Sequence, residues 1–493
     1  MIVVGVPAGG ASGPGTPTPL PSSTGWTVEV VGLHGGSAPP DLALDSSGTP
    51  HVLYCPPGDS RYASRNESGW TDEHLQFTPF GGICGDLVLG PDDAPRVTTP
   101  YALPLGCVAY GVRLAGTWEF SCFPGGVMDA VDSLGRPHAV TYWTISPTRY
   151  DLRHLWREPD GSWQFETAES NALNAFPSLR WYSLVLDAAD NPRILYYDSV
   201  RGDVRYAFRD ASGWHVEVVE HAGFIGRVGR GGQLALRADG TPVAAYGTGL
   251  GPADLRIAMR NDLGWISEIV DASATYLVHP TLALQPDGTP CVAYEWIQVI
   301  DAARIIADQD LLFRCRGPSG WSREVVIDGI VDAPADIAIF PQFPDLKVDA
   351  CGNPHLAFYY NLRIGSDSSQ KGAYYATKGE CSLPTATATL RVDPRTLNLK
   401  SKGRWITATV TLDGATADGV DLGSLAVNGV APDKVQVLND TVLQLKVSRE
   451  DFMDTLPDPP KFGVAVAVTL TGKWKDGGVF TATDTIRILK PGR

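Results

Sequence analysis

Eleven residues have the types that a sugar-binding face uses: Trp143, Arg149, Arg180, Trp181, Tyr182, Asp198, Arg201, Glu295, Trp296, Tyr360 and Arg363. Aromatic planes stack on the apolar C–H faces of sugar rings, and carboxylates and guanidinium groups bond the hydroxyls. The same chemistry allows two catalytic readings. A glycosidase acting on an acidic sugar would need an arginine cluster, for which Arg149, Arg201, Arg227 and Arg363 are available, and a carboxylate such as Glu295. A polysaccharide lyase would need a base near arginines, and His279 with Tyr182 could serve. No motif spacing brings these groups together, so no catalytic residue is assigned and binding is favoured over catalysis. His51, His138 and His355 occupy a repeated Pro-His step on different repeat units, which prevents them from meeting at one metal. No EF-hand-like spacing occurs either. No metal and no cofactor are expected.

The elements that must position these residues are written in two series of turns. Seven Gly-Trp turns carry Trp26, Trp70, Trp118, Trp163, Trp214, Trp265 and Trp321, and seven Pro turns carry Pro50, Pro95, Pro137, Pro192, Pro242, Pro290 and Pro354. Between them lie short period-2 strands, as in Pro192-Arg193-Ile194-Leu195-Tyr196-Tyr197 and Trp214-His215-Val216-Glu217-Val218-Val219. Pro opens a strand where no ladder N–H is needed, and Gly supplies the positive φ of a tight turn. Steps of 42 residues (Pro95 to Pro137) to 64 (Pro290 to Pro354), each with four strands, are those of propeller blades. The Trp series starts before the Pro series and ends before it. A closed ring explains this offset: residues 25–31 supply the outer strand that the last unit lacks. The fold class is therefore all-β, a seven-bladed β-propeller closed by its N-terminal strand. The loops between second and third strands share one face with the channel mouth. They are longest at 295–310 and 361–371, which is where the search for function concentrates. Tyr196 and Tyr294 repeat at one strand position and read as core. The seven turn tryptophans read as packing between blades.

The Pro-His steps, Tyr196-Tyr197-Asp198 and the Gly-Trp turns resemble the secreted bacterial propellers of the BNR/sialidase-like repeat group, over residues 25–381. A full Asp-box is absent, and Asp160-Gly161-Ser162-Trp163 only approaches one. The resemblance implies the fold and, more weakly, a sialidase-like hydrolase. Beyond the Thr-rich segment 382–389, read as a linker, the cysteine-free stretch 390–493 shows about seven alternating segments of a β-sandwich. Val392-Asp393-Pro394-Arg395-Thr396-Leu397 resembles the start of a bacterial Ig-like module, which implies a spacer or attachment unit.

Blade topology sorts the eight cysteines into Cys55–Cys84, Cys107–Cys122, Cys291–Cys315 and Cys351–Cys381. Four disulfides require an oxidising compartment. The net charge of -15 argues against nucleic acid, and no apolar stretch reaches the roughly 18 residues of a membrane span. Residues 1–24, rich in Gly, Pro, Ser and Thr, read as a disordered tether. The expectation is a secreted or surface-displayed binding or adhesion protein with glycans or a cell-surface partner. A glycosidase or lyase, or a structural surface or filament component, are the alternatives.

Overall fold

A computed structural model describes residues 25–34, 38–75, 85–99, 108–114, 116–146, 149–173, 182–221, 232–248, 254–299, 306–329, 331–332, 337–364, 367–379, 387–398, 403–456, 465–475 and 479–489. The expected tether 1–24 lies outside these residues, as do Arg180, Trp181 and Arg227.

Strands dominate. Seven antiparallel sheets follow one another, here sheet 1 (41–74), sheet 2 (87–123), sheet 3 (127–173), sheet 4 (182–220), sheet 5 (233–271), sheet 6 (276–327) and sheet 7 (331–377 with 27–33). In sheets 1 to 6 the main strands run outward in chain order, and in sheet 7 the outermost is the N-terminal strand. The first strands of successive sheets lie against one another, and that of sheet 7 returns to that of sheet 1, which makes the arrangement propeller-like. The outer strand of sheet 7 is Thr27–Leu33, which pairs with Asp367–Thr377 in the register Thr27↔Thr377. Gly32 allows this strand to pass the wall of sheet 1, since a Cβ there would lie 2.4 Å from the Tyr54 hydroxyl.

Two polar devices tie the sheets together. One is an inner belt. A polar residue on or beside each first strand accepts the backbone N–H of the next: Asp41 from Leu87, Asp86 from Met128, Asp129 from Leu184, Ser183 from Leu234, Gln233 from Leu282, Thr281 from Leu346 and Asp345 from Leu42. The last bond returns to the first sheet and closes the circuit. The other device is an outer clasp. The glutamate three residues after a turn tryptophan reaches the next sheet, where it accepts that sheet's tryptophan N–H and pairs with its third-strand arginine. Glu73 holds Trp118 (3.0 Å) and Arg113, and Glu166 holds Trp214 (3.0 Å) and Arg209. Glu217 holds Trp265 (3.0 Å) and Arg260. The clasp runs through the chain end as well: Glu29 holds Trp70 and Arg65, and Glu324 holds Trp26 and Lys378. The glycine preceding Trp70, Trp214, Trp265 and Trp321 has φ between +110° and +121°, so this turn requires glycine.

The repeated histidines belong to the turns. His51 and His355 each reach from the turn aspartate (Asp45, Asp349) to a third-strand tyrosine (Tyr62, Tyr375), while His138 joins Asp132 to His154. Cys291 and Cys315 face each other in register and form a disulfide. Cys55, Cys122 and Cys351 are also disulfide-bonded. Their expected partners Cys84, Cys107 and Cys381 lie outside the described residues.

Residues 387–489 form two four-stranded sheets around one apolar core that includes Val410, Leu445, Val468 and Phe452. Eight strands are described, against about seven expected, and the first, Thr387–Asp393, begins inside the stretch read as linker. The reason is its alternation: Ala388, Leu390 and Val392 face inward while Thr387 to Asp393 pair with Thr407 to Asp413.

Candidate functional site

The stretches read as long loops in sheets 6 and 7 are corrected by the structure. Pro290–Val299 pairs with Ile306–Gly317 as far as Val299↔Ile306, and Pro354–Ile364 pairs with Asp367–Thr377 as far as Ile364↔Asp367. Strand alternation simply continues past the blade's usual length. Glu295, Trp296, Tyr360 and Arg363 therefore sit on strands, where the pleat decides which face each side chain joins.

Several candidates are committed to the scaffold. Glu295 is 1 % exposed and holds three donors, His279 Nδ1 (2.5 Å), the Phe343 N–H (2.7 Å) and Gln309 Nε2 (3.0 Å), which latch sheet 6 to sheet 7. His279 (φ +52°) and Phe343 (φ +55°) adopt left-handed backbone at the two bulges that let this latch form. Asp198 is fully buried, caps Val200 and Arg201 N–H groups and pairs with the Arg201 guanidinium. Arg201 also approaches Glu169 of sheet 3, to which Tyr196 and Arg205 bond. Tyr360 is 1 % exposed and packs on Tyr374, so it is core. Trp296 donates to Ser273 (3.0 Å). Arg363 is exposed at the far end of sheet 7. Among the described residues of the hydrolase set, Arg201 is neutralised and Glu295 is enclosed, while Arg227 lies outside them. His279 reaches Glu295, but Tyr182 belongs to the channel wall near sheets 3 and 4, so the pair suggested for a lyase is not formed.

The channel itself holds a cavity of about 270 Å³ bordered by Asp41, Asp86, Asp129, Asp345, Tyr182 and Lys347. Its carboxylates are the acceptors of the inner belt, and Lys347 Nζ sits 2.9 Å from Asp345. A second acidic group lies on sheet 6, where carboxylate oxygens of Asp308, Asp310 and Asp328 come within 4.8 Å of one another. Burial, reinforced by the Asp308 charge, pushes the Asp310 carboxyl up to about 6. Oxygen sets of this kind are what a hard cation uses.

Sheet 3 is different. Trp143 and Phe165 are 50 % and 58 % exposed, with rings parallel to within 6° and centres 6.5 Å apart. The Arg153 guanidinium carbon lies 4.5 Å from the first ring centre and 4.6 Å from the second, within cation–π range. The three side chains come from the second, third and outer strands, in a diagonal set by the pairs Thr141↔Arg153 and Arg153↔Thr167. Ile145, 55 % exposed, continues the strip toward the hairpin, whose other side begins at the exposed Arg149. Sequence reasoning found Trp143 and Arg149 but missed Arg153 and Phe165. The sequence signal was weak: the position two residues after the turn tryptophan is aromatic in sheet 3 (Phe165) but also in sheet 2 (Phe120), against Asp72, Val216 and Ser267 in sheets 1, 4 and 5.

The sequence matches no known protein-family profile and no curated protein. Among solved structures, a fungal alcohol oxidase in complex with copper is 12 % identical, with 95 % of this chain and 100 % of the oxidase covered at a TM-score of 0.46. An Aleuria aurantia lectin in complex with Fucα1-6GlcNAc is 13 % identical, covering 60 % of this chain and 97 % of the lectin at a TM-score of 0.37. An ulvan lyase, a polysaccharide lyase bound to a GlcA–Rha3S ligand, is 14 % identical, covering 69 % of this chain and 96 % of the lyase at a TM-score of 0.41.

Proposed function

We propose that this chain is a secreted or surface-displayed glycan-binding protein, built as a seven-bladed β-propeller of the BNR/sialidase-like repeat group with an Ig-like spacer behind it. The observation that carries this reading is the exposed, parallel Trp143–Phe165 pair with Arg153 against both rings. Exposed aromatic faces on a rigid sheet present C–H-stacking surface with little ordering cost, because each ring is already fixed by its neighbours. The disulfide Cys291–Cys315 suits an oxidising, extracellular setting. Among the described residues no helix is long and apolar enough to cross a membrane. Binding is favoured over hydrolysis because Glu295 and Asp198, the carboxylates nearest to such a role, already hold buried donors.

The test is a glycan array probed with the intact chain and with Trp143→Ala. Loss of one stacking plane should weaken the best ligands about tenfold, the equivalent of ~1.4 kcal/mol. A wild-type chain that binds no glycan, or a Trp143→Ala chain that binds as well as wild type, overturns the proposal.

A further inference from the structure

We infer that the sheet 3 strip recognises sugars bearing an anionic group, a carboxylate or a sulfate, through Arg153 with help from Arg149. This deepens the glycan-binding reading and rests on it. The reason is a local imbalance of charge. The chain carries 55 acidic against 40 basic residues, and the arginines of the outer clasps each meet a carboxylate. Arg153 meets none among the described residues. Its charge rests on two aromatic quadrupoles, and its Nε is buried without an acceptor. A partly buried guanidinium without a counter-charge is costly unless something supplies one.

The surroundings make the vacancy specific. Arg149, Asp151 and Arg153 alternate onto the same face of the third strand. Asp151 lies between the two arginines but turns its carboxylate to the Asn171 N–H at 2.9 Å. Arg149 is exposed, and no carboxylate among the described residues pairs with it. The strip therefore offers two unpaired guanidinium groups four residues apart along one strand, ~13 Å between their backbone positions. Exposed rings lie beside them. Charge-assisted bonds from guanidinium N–H groups to an anion are among the stronger polar contacts, and ring stacking fixes the sugar that bears it.

The experiment measures binding of the intact chain to oligogalacturonate (carboxylate), chondroitin sulfate (both groups), desulfated chondroitin, carboxyl-reduced oligogalacturonate, and neutral cello-oligosaccharides and dextran. Acidic sugars should bind at least about tenfold more tightly than neutral ones. Arg153→Gln should weaken acidic sugars far more than neutral ones and so remove most of that preference. Arg149→Gln, a change at an exposed side chain, should remove a smaller part and reduce the salt dependence. Comparing the two modified polymers with their parents shows which anion is read. Equal binding of acidic and neutral sugars, or an Arg153→Gln chain with the preference intact, overturns the inference and leaves the glycan-binding reading standing. Binding of none of them overturns both.

Discussion

The seam between sheets 4 and 5 and the seam between sheets 2 and 3 are built from the same repeat, and their tryptophan clasps differ at the glutamate position. In the first, Glu217 receives two nitrogens of Arg260 at 2.8 Å each and Trp265 Nε1 at 3.0 Å. In the second, the equivalent position is Ser121, opposite Tyr110 as Glu217 is opposite Tyr206. Trp163 then donates to the Cys122 carbonyl at 3.0 Å, while Arg157 turns over the Tyr110 ring and donates to the Gly161 carbonyl. Yet both tryptophans stand edge-on to the same tyrosine of the preceding sheet, Trp265 on Tyr206 at 5.3 Å and Trp163 on Tyr110 at 5.9 Å. Packing seats the tryptophan, and the glutamate adds a latch. The seam without the latch also borders the face of sheet 3 that carries the exposed rings, since Leu155 and Trp163 of that face pack with Tyr110 of sheet 2.

If packing does the seating, tryptophan loss should be the largest effect, and comparable at latched and unlatched seams. Trp26→Ala should cost about 4 kcal/mol, because this side chain is 4 % exposed, packs edge-on to Phe313 and leads into the outer strand of sheet 7. Trp265→Ala and Trp163→Ala, both partly buried, should each cost about 3 kcal/mol. Urea unfolding measures all three. A Trp163→Ala change much milder than Trp265→Ala would mean that the latch, not the ring contact, places the residue.

The latch comes next. Glu217→Gln should destabilise by about 1 kcal/mol and no more, because the carboxylate is 28 % and Arg260 42 % exposed, so water screens the pair. Its pH signature is directional. Bonds from Arg209 to Glu166 and from Arg260 to Glu217 hold both carboxyls below their ordinary 4.5. A folded value below the unfolded one means that the native state binds fewer protons. The stabilisation is then complete above pH 4.5 and is lost as pH falls through the folded values. A Glu166→Gln, Glu217→Gln chain should therefore lose less stability than wild type between pH 6 and pH 3, in unfolding curves taken across that range. Parallel losses in both chains would remove the latch from the acid response.

The contrast also shows where the sequence was informative. Turn chemistry is local, so Gly-Trp and Pro turns revealed the repeated antiparallel sheets, and the N-terminal strand expected at 25–31 pairs at 27–33 with the strand 367–377. Cys291 and Cys315 could be paired because register follows directly from strand order. The latch was equally regular, a Glu three residues after Trp, but its partners sit one sheet onward, over forty positions away in most seams. Nothing local couples Glu73 to Arg113. The candidate site suffered from the same limit. Glu295 and Asp198 have the composition of a ligand site, and only burial reveals that His279, Phe343 N–H, Gln309 and Arg201 already occupy them. Arg153 looked ordinary because an arginine attracts notice through its partners, and its distinction is the missing one.

The smallest expected effect is the most direct test of the comparison. Ser121→Glu should build the absent latch: the side chain would start where Glu73 and Glu217 start in their seams, opposite a third-strand tyrosine. Arg157 would have to leave the Tyr110 ring and the Gly161 carbonyl, so the new ion pair replaces contacts instead of adding to an empty site. The net gain should be about 0.5 kcal/mol, within the range of exposed pairs, and should shrink in high salt. Thermal unfolding at low and high ionic strength measures it. A gain that ignores salt would point to strand propensity and not to an ion pair. A loss would show that Arg157 is better placed on the ring, and that this seam is tuned to do without the glutamate.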